Sequence, residues 1–124
     1  MGRDDANQRR EAADHGDAVL ERLMHVIEDR KANPPERSYT TSLFQGGVAK
    51  IGEKILEEAQ EVVQAAGEPG QDGHRHLVHE AADLIYHLFV MLGHRDVALD
   101  EVQAELARRF GISGLDEKES RKHG

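Results

Sequence analysis

The chain has no cysteine and no tryptophan. Without thiols there is no disulfide framework, no thiolate nucleophile and no cysteine-based metal site. Aromatic residues make up only 4% of the 124 residues, so the core must be largely aliphatic, and a composition led by Ala and Glu, with Leu and Val the commonest large apolar residues, favours helices. Proline is confined to Pro34, Pro35 and Pro69, which leaves long stretches free to run as helix. No apolar run approaches the span of about 20 residues that crosses a bilayer. The N-terminus is charged from Arg3 onward and lacks the apolar core of a signal peptide. A cytoplasmic protein without membrane contact is therefore expected. Basic residues are in the minority, 16 against 24 acidic ones, for a formal charge of -8. That balance argues against nucleic acid and anionic membranes as partners. It leaves phosphate ligands open, because bound cations reverse the local field.

The length fits one domain with a real core. Residues 1–16 are polar and without apolar periodicity, and read as a charged leader. Apolar positions at helical spacing predict four helices. The first runs from Asp17 to Ala32, with Val19, Leu20, Leu23, Met24, Val26 and Ile27 as its buried stripe, and is stopped by Asn33, Pro34 and Pro35. The loop ERSYTTSLFQGG follows, and the second helix runs from Val48 to Ala66. After the turn GEPGQDG, Asp72 is expected to cap a third helix reaching Leu92. The fourth runs from Leu99 to Phe110 and ends at Gly111. The short second connection makes the second and third helices antiparallel neighbours.

Two acidic motifs lie on these neighbours: EEAQE, with Glu57, Glu58 and Glu61, and EAAD, with Glu80 and Asp83. Within each, carboxylates three or four residues apart share a helix face. Antiparallel packing would gather at least four of them, and anions at that range need water, protons or cations between them. EEAQE alone reads sooner as a solvated face than as a metal site, with Lys50 and Lys54 available for surface pairs of small value. EAAD does not, because Asp83 is followed by LIYHLFVML and an unpaired carboxylate in such a helix costs several kcal/mol. The all-oxygen donor set suits a hard cation, Mg²⁺ or Mn²⁺, completed by phosphate oxygens. His74, His76 and His79 read as a solvent-exposed cluster rather than a zinc site, for want of an acidic or cysteine companion at a recognisable spacing.

EExxE followed by ExxD resembles the signature of the all-helical, MazG-like nucleoside triphosphate pyrophosphatases. The segments SYTTSLFQGG, KIGEKILEEAQEVVQAA, HEAADLIYHLFVML and LDEVQAELARRFGISGLDEKESRK narrow the resemblance to the phosphoribosyl-ATP pyrophosphatase family, which covers the chain from about Ala18 onward. The resemblance implies an all-α bundle of four to five helices, completed by oligomerisation. It also implies Mg²⁺-dependent hydrolysis of phosphoribosyl-ATP to phosphoribosyl-AMP and pyrophosphate, the second step of histidine biosynthesis. Glu58, Glu61, Glu80 and Asp83 are then the expected metal ligands, and Glu57 the group that orients or deprotonates the attacking water, or else an outer ligand. Lys54, and after it Lys50, are expected at phosphate oxygens. Arg37, Ser38, Tyr39 and Thr40 are expected on a substrate-binding loop. His87, one turn after Asp83, is suited to hydrogen bonding behind the ligands, to the base, or to the core.

Two other functions fit the same residues: a house-cleaning nucleoside triphosphate pyrophosphatase with the same metal chemistry, and a non-enzymatic helical module whose acidic stripe is merely solvated. The third helix is apolar on most sides, more than a small monomer can cover, so a homodimer at least is expected, joined through the second and third helices.

Overall fold

The computed structural model describes residues 18–111, which form four α-helices and no strand. The leader 1–16, Asp17 and the charged ending beyond Gly111 lie outside the described residues. Helix α1 spans 18–32, α2 Tyr39–Ala66, α3 Gly70–His94 and α4 Leu99–Phe110. Among the described residues, no helix is long and apolar enough to cross a membrane.

The largest departure from the sequence reading is in α2, which starts at Tyr39 rather than Val48. Ser38 is its N-cap, and the Ser38 hydroxyl accepts the Thr41 N–H at 3.3 Å. The Gly46-Gly47 pair bends the helix instead of preceding it. Gly47 adopts φ 67 and ψ -160, a combination essentially confined to glycine. Lys50 spans the bend, its ammonium donating to the Ser42 carbonyl at 3.5 Å. Helix α3 likewise starts earlier than expected: Pro69, not Asp72, is the N-cap residue, and Asp72 sits inside the first turn, where its charge complements the helix dipole. It also runs two residues past Leu92, to His94.

Helices α2 and α3 pack along each other as a hairpin, joined through Gly67, Glu68 and Pro69. The turn is tight enough that a Cβ at Gly73 would collide with the Glu68 carbonyl. Met24, Ile27, Leu43, Ile51, Phe89 and Val90 form the core. In α1 only Met24 and Ile27 of the expected stripe are fully buried, while Val19, Leu20 and Val26 are exposed. One narrow seam suffices because α1 rests on the hairpin from one side. The approach is close at Gly93, where an added Cβ would lie 3.1 Å from Ile27 Cγ2. Helix α4 has no buried residue; its Leu99 packs on the core edge, and Glu101 accepts the Ala98 N–H at 2.8 Å.

Lys31 ties α1 to the far end of α3. Its ammonium donates to the carbonyls of Gly93 at 2.9 Å and His94 at 3.0 Å, and to Asp96 Oδ1 at 2.8 Å. A cation there satisfies carbonyls left open at the helix end and offsets the negative pole of the dipole. Asp96 is held below the ordinary aspartate range, first by its hydrogen bond to Lys31 and then by the lysine charge. That contribution is present above the ordinary aspartate pKa and lost as pH falls through the depressed value. Lys31→Met should lower folding stability by about 1–2 kcal/mol, the scale of charge-assisted bonds to helix-end carbonyls. It should also flatten the acid limb of the stability profile below the ordinary aspartate pKa. Chemical denaturation of both proteins across that range measures the two effects.

Candidate metal centre

Each acidic motif sits on the inner edge of its helix, where the core seam gives way to solvent. In α2, Ile51, Ile55 and Ala65 follow the buried side, and Glu58 and Glu61 flank that line one turn apart. In α3, Glu80 lies on the buried side and Asp83 beside it. Antiparallel packing brings Glu58, Glu61 and Glu80 together, with one oxygen from each within 4.8 Å of the others. Asp83 belongs to an adjoining group that shares Glu80 and includes His79.

Glu80 is 6% exposed. Its Oε2 and the Oε2 of Glu58 are buried without a hydrogen-bond partner. Native proteins rarely leave buried polar atoms orphaned, and less often charged ones. Glu61 bears the strain: its pKa is raised, first by hydrogen bonding with the Glu80 carboxyl and then by that group's charge. Carboxylates set this close relieve their repulsion by taking up a proton or a cation. Two orphaned oxygens converging with a third carboxylate form an all-oxygen donor set, and it fits a hard divalent ion.

The histidines of α3 have the acidic companions that the sequence reading did not credit to them. His76 Nδ1 lies 2.7 Å from Oε1 of Glu68 in the turn, and its Nε2 lies 3.3 Å from Glu80 Oε1. The imidazole pKa is raised, chiefly by the bond to Glu68. His79 Nε2 is 3.4 Å from Asp83 Oδ2. The signal lay in the sequence as two i, i+4 spacings, 76 to 80 and 79 to 83. Both were obscured by treating the imidazoles as a cluster of their own.

Glu57 is in neither carboxylate group; it is exposed and lies 3.4 Å from the Lys54 ammonium. Lys54 is raised in pKa first by that hydrogen bond. Tyr39 and Thr40 lie in the first turn of α2 and not on a loop. Thr40 is buried and its hydroxyl meets that of Tyr86. The Tyr39 hydroxyl lies 2.9 Å from His87 Nε2, and His87 Nδ1 lies 2.9 Å from the Asp83 carbonyl. A carbonyl only accepts, so Nδ1 carries the proton and Nε2 accepts from Tyr39. His87 is itself buried. It thus links the backbone of the second acidic motif to a tyrosine whose pKa is raised by burial, against the Lys54 charge and with the charges of Glu58 and Glu57. The kink at Gly47 separates this short first segment of α2 from the stretch that carries EEAQE. Arg37 precedes the N-cap, exposed, with φ 62. Ser38 spends its hydroxyl on the cap, and Lys50 spends its ammonium on the kink.

Residues 20–110 match the family model described as phosphoribosyl-ATP pyrophosphohydrolase. The chain is 55% identical over 102 residues to the phosphoribosyl-ATP pyrophosphatase of Rhodopirellula baltica, covering 82% of this chain and 85% of that protein. Similar relatives of the same name come from Geotalea daltonii, 50% identical over 85% of this chain and 96% of its own, and from Methylococcus capsulatus, 48% identical over 86% and 98%. With its helical hairpin, its paired acidic motifs and this match over most of its length, the chain belongs to the phosphoribosyl-ATP pyrophosphohydrolase family.

Proposed function

We propose that the protein hydrolyses the α-β phosphoanhydride of phosphoribosyl-ATP, giving phosphoribosyl-AMP and pyrophosphate in histidine biosynthesis, with Mg²⁺ or Mn²⁺ as its cofactor. The single observation that carries the chemistry is the pair of orphaned, buried oxygens on Glu58 and Glu80. The substrate class rests on family membership and on relatives that bear that activity in their names. Glu58, Glu61, Glu80 and Asp83 would hold the divalent ion. When bound, it supplies charge neutralisation for the triphosphate and lowers the pKa of water at the site.

The chain's own groups divide the remaining work. Water adds to a phosphorus of the anhydride, the bridging oxygen leaves with the bonding pair, and the proton released from water goes to the Glu57 carboxylate. Glu57 starts in contact with Lys54. An arriving phosphate competes for that ammonium, so substrate binding draws Lys54 off and frees the carboxylate as the base. Lys54 rather than Lys50 is the phosphate contact proposed, since the Lys50 ammonium reaches back to Ser42. Arg37 and the Tyr39 hydroxyl, positioned through His87, are the proposed contacts for the remainder of the nucleotide.

A homodimer is the proposed assembly. Leu56 and Val63 on α2 are each 73% exposed at a seven-residue spacing, and Val78 and Ile85 repeat that spacing on α3. Such paired stripes on a hairpin bury themselves against a second copy as a four-helix arrangement. Leu56→Glu should convert dimer to monomer in sedimentation velocity at micromolar concentration; a wild-type protein already monomeric there would overturn the assembly.

Pyrophosphate release from phosphoribosyl-ATP, beside a panel of ordinary nucleoside triphosphates and with and without Mg²⁺, tests the reaction. Preference for the ordinary nucleotides would replace it with the house-cleaning reading. Glu80→Gln should cut turnover by about 10²-fold or more and abolish the rise in thermal midpoint given by Mg²⁺, since a ligand stabilises only the state that binds it. The metal-free variant should be no less stable than wild type, because one repelling charge is gone. Glu57→Gln should lower kcat by about 10²-fold with Mg²⁺ affinity unchanged, as loss of a general base does. If raising Mg²⁺ restores its rate, Glu57 is a ligand.

A further inference from the structure

Two consecutive residues at the start of α2 meet two consecutive residues of α3. The Thr40 hydroxyl meets that of Tyr86, and the Tyr39 hydroxyl lies 2.9 Å from His87 Nε2. The Tyr39 ring stacks on Tyr86, with centroids 6.3 Å apart, and stands at 87° to the imidazole of His87. His87 is buried, whereas Tyr39 is 49% exposed. A phenol fixed from the inside thus keeps about half of its surface open to a ligand.

The polarity of this contact is set from the core outward. The Asp83 carbonyl only accepts, which puts the proton of the neutral His87 ring on Nδ1, 2.9 Å away, and leaves Nε2 an acceptor. The single phenol proton of Tyr39 is thereby committed to His87, and only oxygen lone pairs remain for a ligand. Burial raises the Tyr39 pKa, so the phenol keeps that proton. Arg37 and Lys54, the other proposed nucleotide contacts, can only donate. Of the three, Tyr39 is the acceptor, and it has nothing to give a phosphate oxygen.

We infer that Tyr39 is a specificity residue that accepts a hydrogen bond from a hydroxyl of the sugar bearing the triphosphate, and that His87 is the positioning residue that fixes its polarity. The inference rests on the reading that this site takes a nucleotide. A nucleotide has two kinds of neutral donor, sugar O–H and base N–H. The Tyr39 hydroxyl lies within range of the charges of Lys54, Glu58 and Glu57. A group beside the phosphate contact meets the sugar that carries the phosphates before it meets the base. Inorganic tripolyphosphate has no such donor, so the contact selects nucleotides over bare polyphosphate.

Side-chain ¹⁵N NMR of the full-length protein reads the tautomer. His87 should carry its proton on Nδ1 with Nε2 bare; a proton on Nε2 overturns the inference. The contact itself is read by turnover of phosphoribosyl-ATP analogues in which the 2′ or 3′ hydroxyl of the triphosphate-bearing sugar is replaced by amino, fluoro or hydrogen. At one of these positions kcat/KM of wild type should fall about 10-fold for fluoro and hydrogen, the scale of one lost hydrogen bond. The amino analogue still donates and should stay within about threefold. Tyr39→Phe keeps the ring and should level the series to about twofold. His87→Met releases the phenol proton to turn outward and should narrow the gap between hydroxyl and fluoro. Equal use of the hydroxyl and fluoro analogues at both positions by wild type overturns the inference, as does a preference that survives Tyr39→Phe. A loss seen instead on removing the exocyclic amine of the base, and abolished by Tyr39→Phe, moves the contact to the base and overturns the sugar assignment. If ordinary nucleoside triphosphates are cleaved and phosphoribosyl-ATP is not, the proposed reaction falls, while the same sugar series on those nucleotides still judges Tyr39. Cleavage of no nucleotide at all overturns both.

Discussion

A carboxylate buried between two helices with one oxygen left unpartnered governs this molecule. Glu80 sits where an aliphatic side chain would pack without penalty, and an unpaired carboxylate at such a position costs on the order of several kcal/mol. What surrounds it reduces that cost in parts. His76, backed by Glu68 from the adjoining turn, lies against one oxygen. Glu61, whose affinity for protons is raised by contact with Glu80, takes up a proton more readily than a free glutamate. Neither device satisfies the second oxygen, and that remainder is what a divalent ion and a polyphosphate can complete together.

The rest of the fold holds the two acidic helices in register while leaving that gap open. The glycine-containing turn keeps α2 and α3 adjacent along their lengths, and Gly73 lets the first turn of α3 approach the Glu68 carbonyl. At the other end of α3, Gly93 admits Ile27, and Lys31 grips the terminal carbonyls. Through Ile27 and Lys31, helix α1 fixes the axial position of the helix that supplies Glu80 and Asp83. The bend at Gly47 lets the first segment of α2 lay Tyr39 against His87, so that one kink ties the start of the helix to the backbone of the second acidic motif.

Much of this was legible in the sequence because it follows from periodicity. The antiparallel pair, the acidic motifs facing one another and the fourth helix with its Gly111 terminus all come from spacing that a helix enforces whatever surrounds it. What could not be read depended on context. Two adjacent glycines ahead of an apolar stripe look like a helix boundary, and here a bend absorbs them because Ser38 caps an earlier turn and Lys50 bridges the gap. Val19, Leu20 and Val26 carry the spacing of a buried stripe, but a helix lying on a hairpin from one side has only Met24 and Ile27 to bury fully. The histidines of α3 were set apart from the carboxylates although their i, i+4 partners stood in plain sequence. Lys31 gave no local signal, since its partners lie more than sixty residues away.

The placement of both acidic motifs on one hairpin also bears on how the chain reaches this structure. Their contacts are short-range in sequence, and such contacts form early and fast because little loop entropy stands in the way. The electrostatic opposition at Glu58, Glu61 and Glu80 is therefore met when the hairpin closes, not when α1 or α4 docks. A hairpin that gathers like charges at its inner edge closes more readily as those charges are screened.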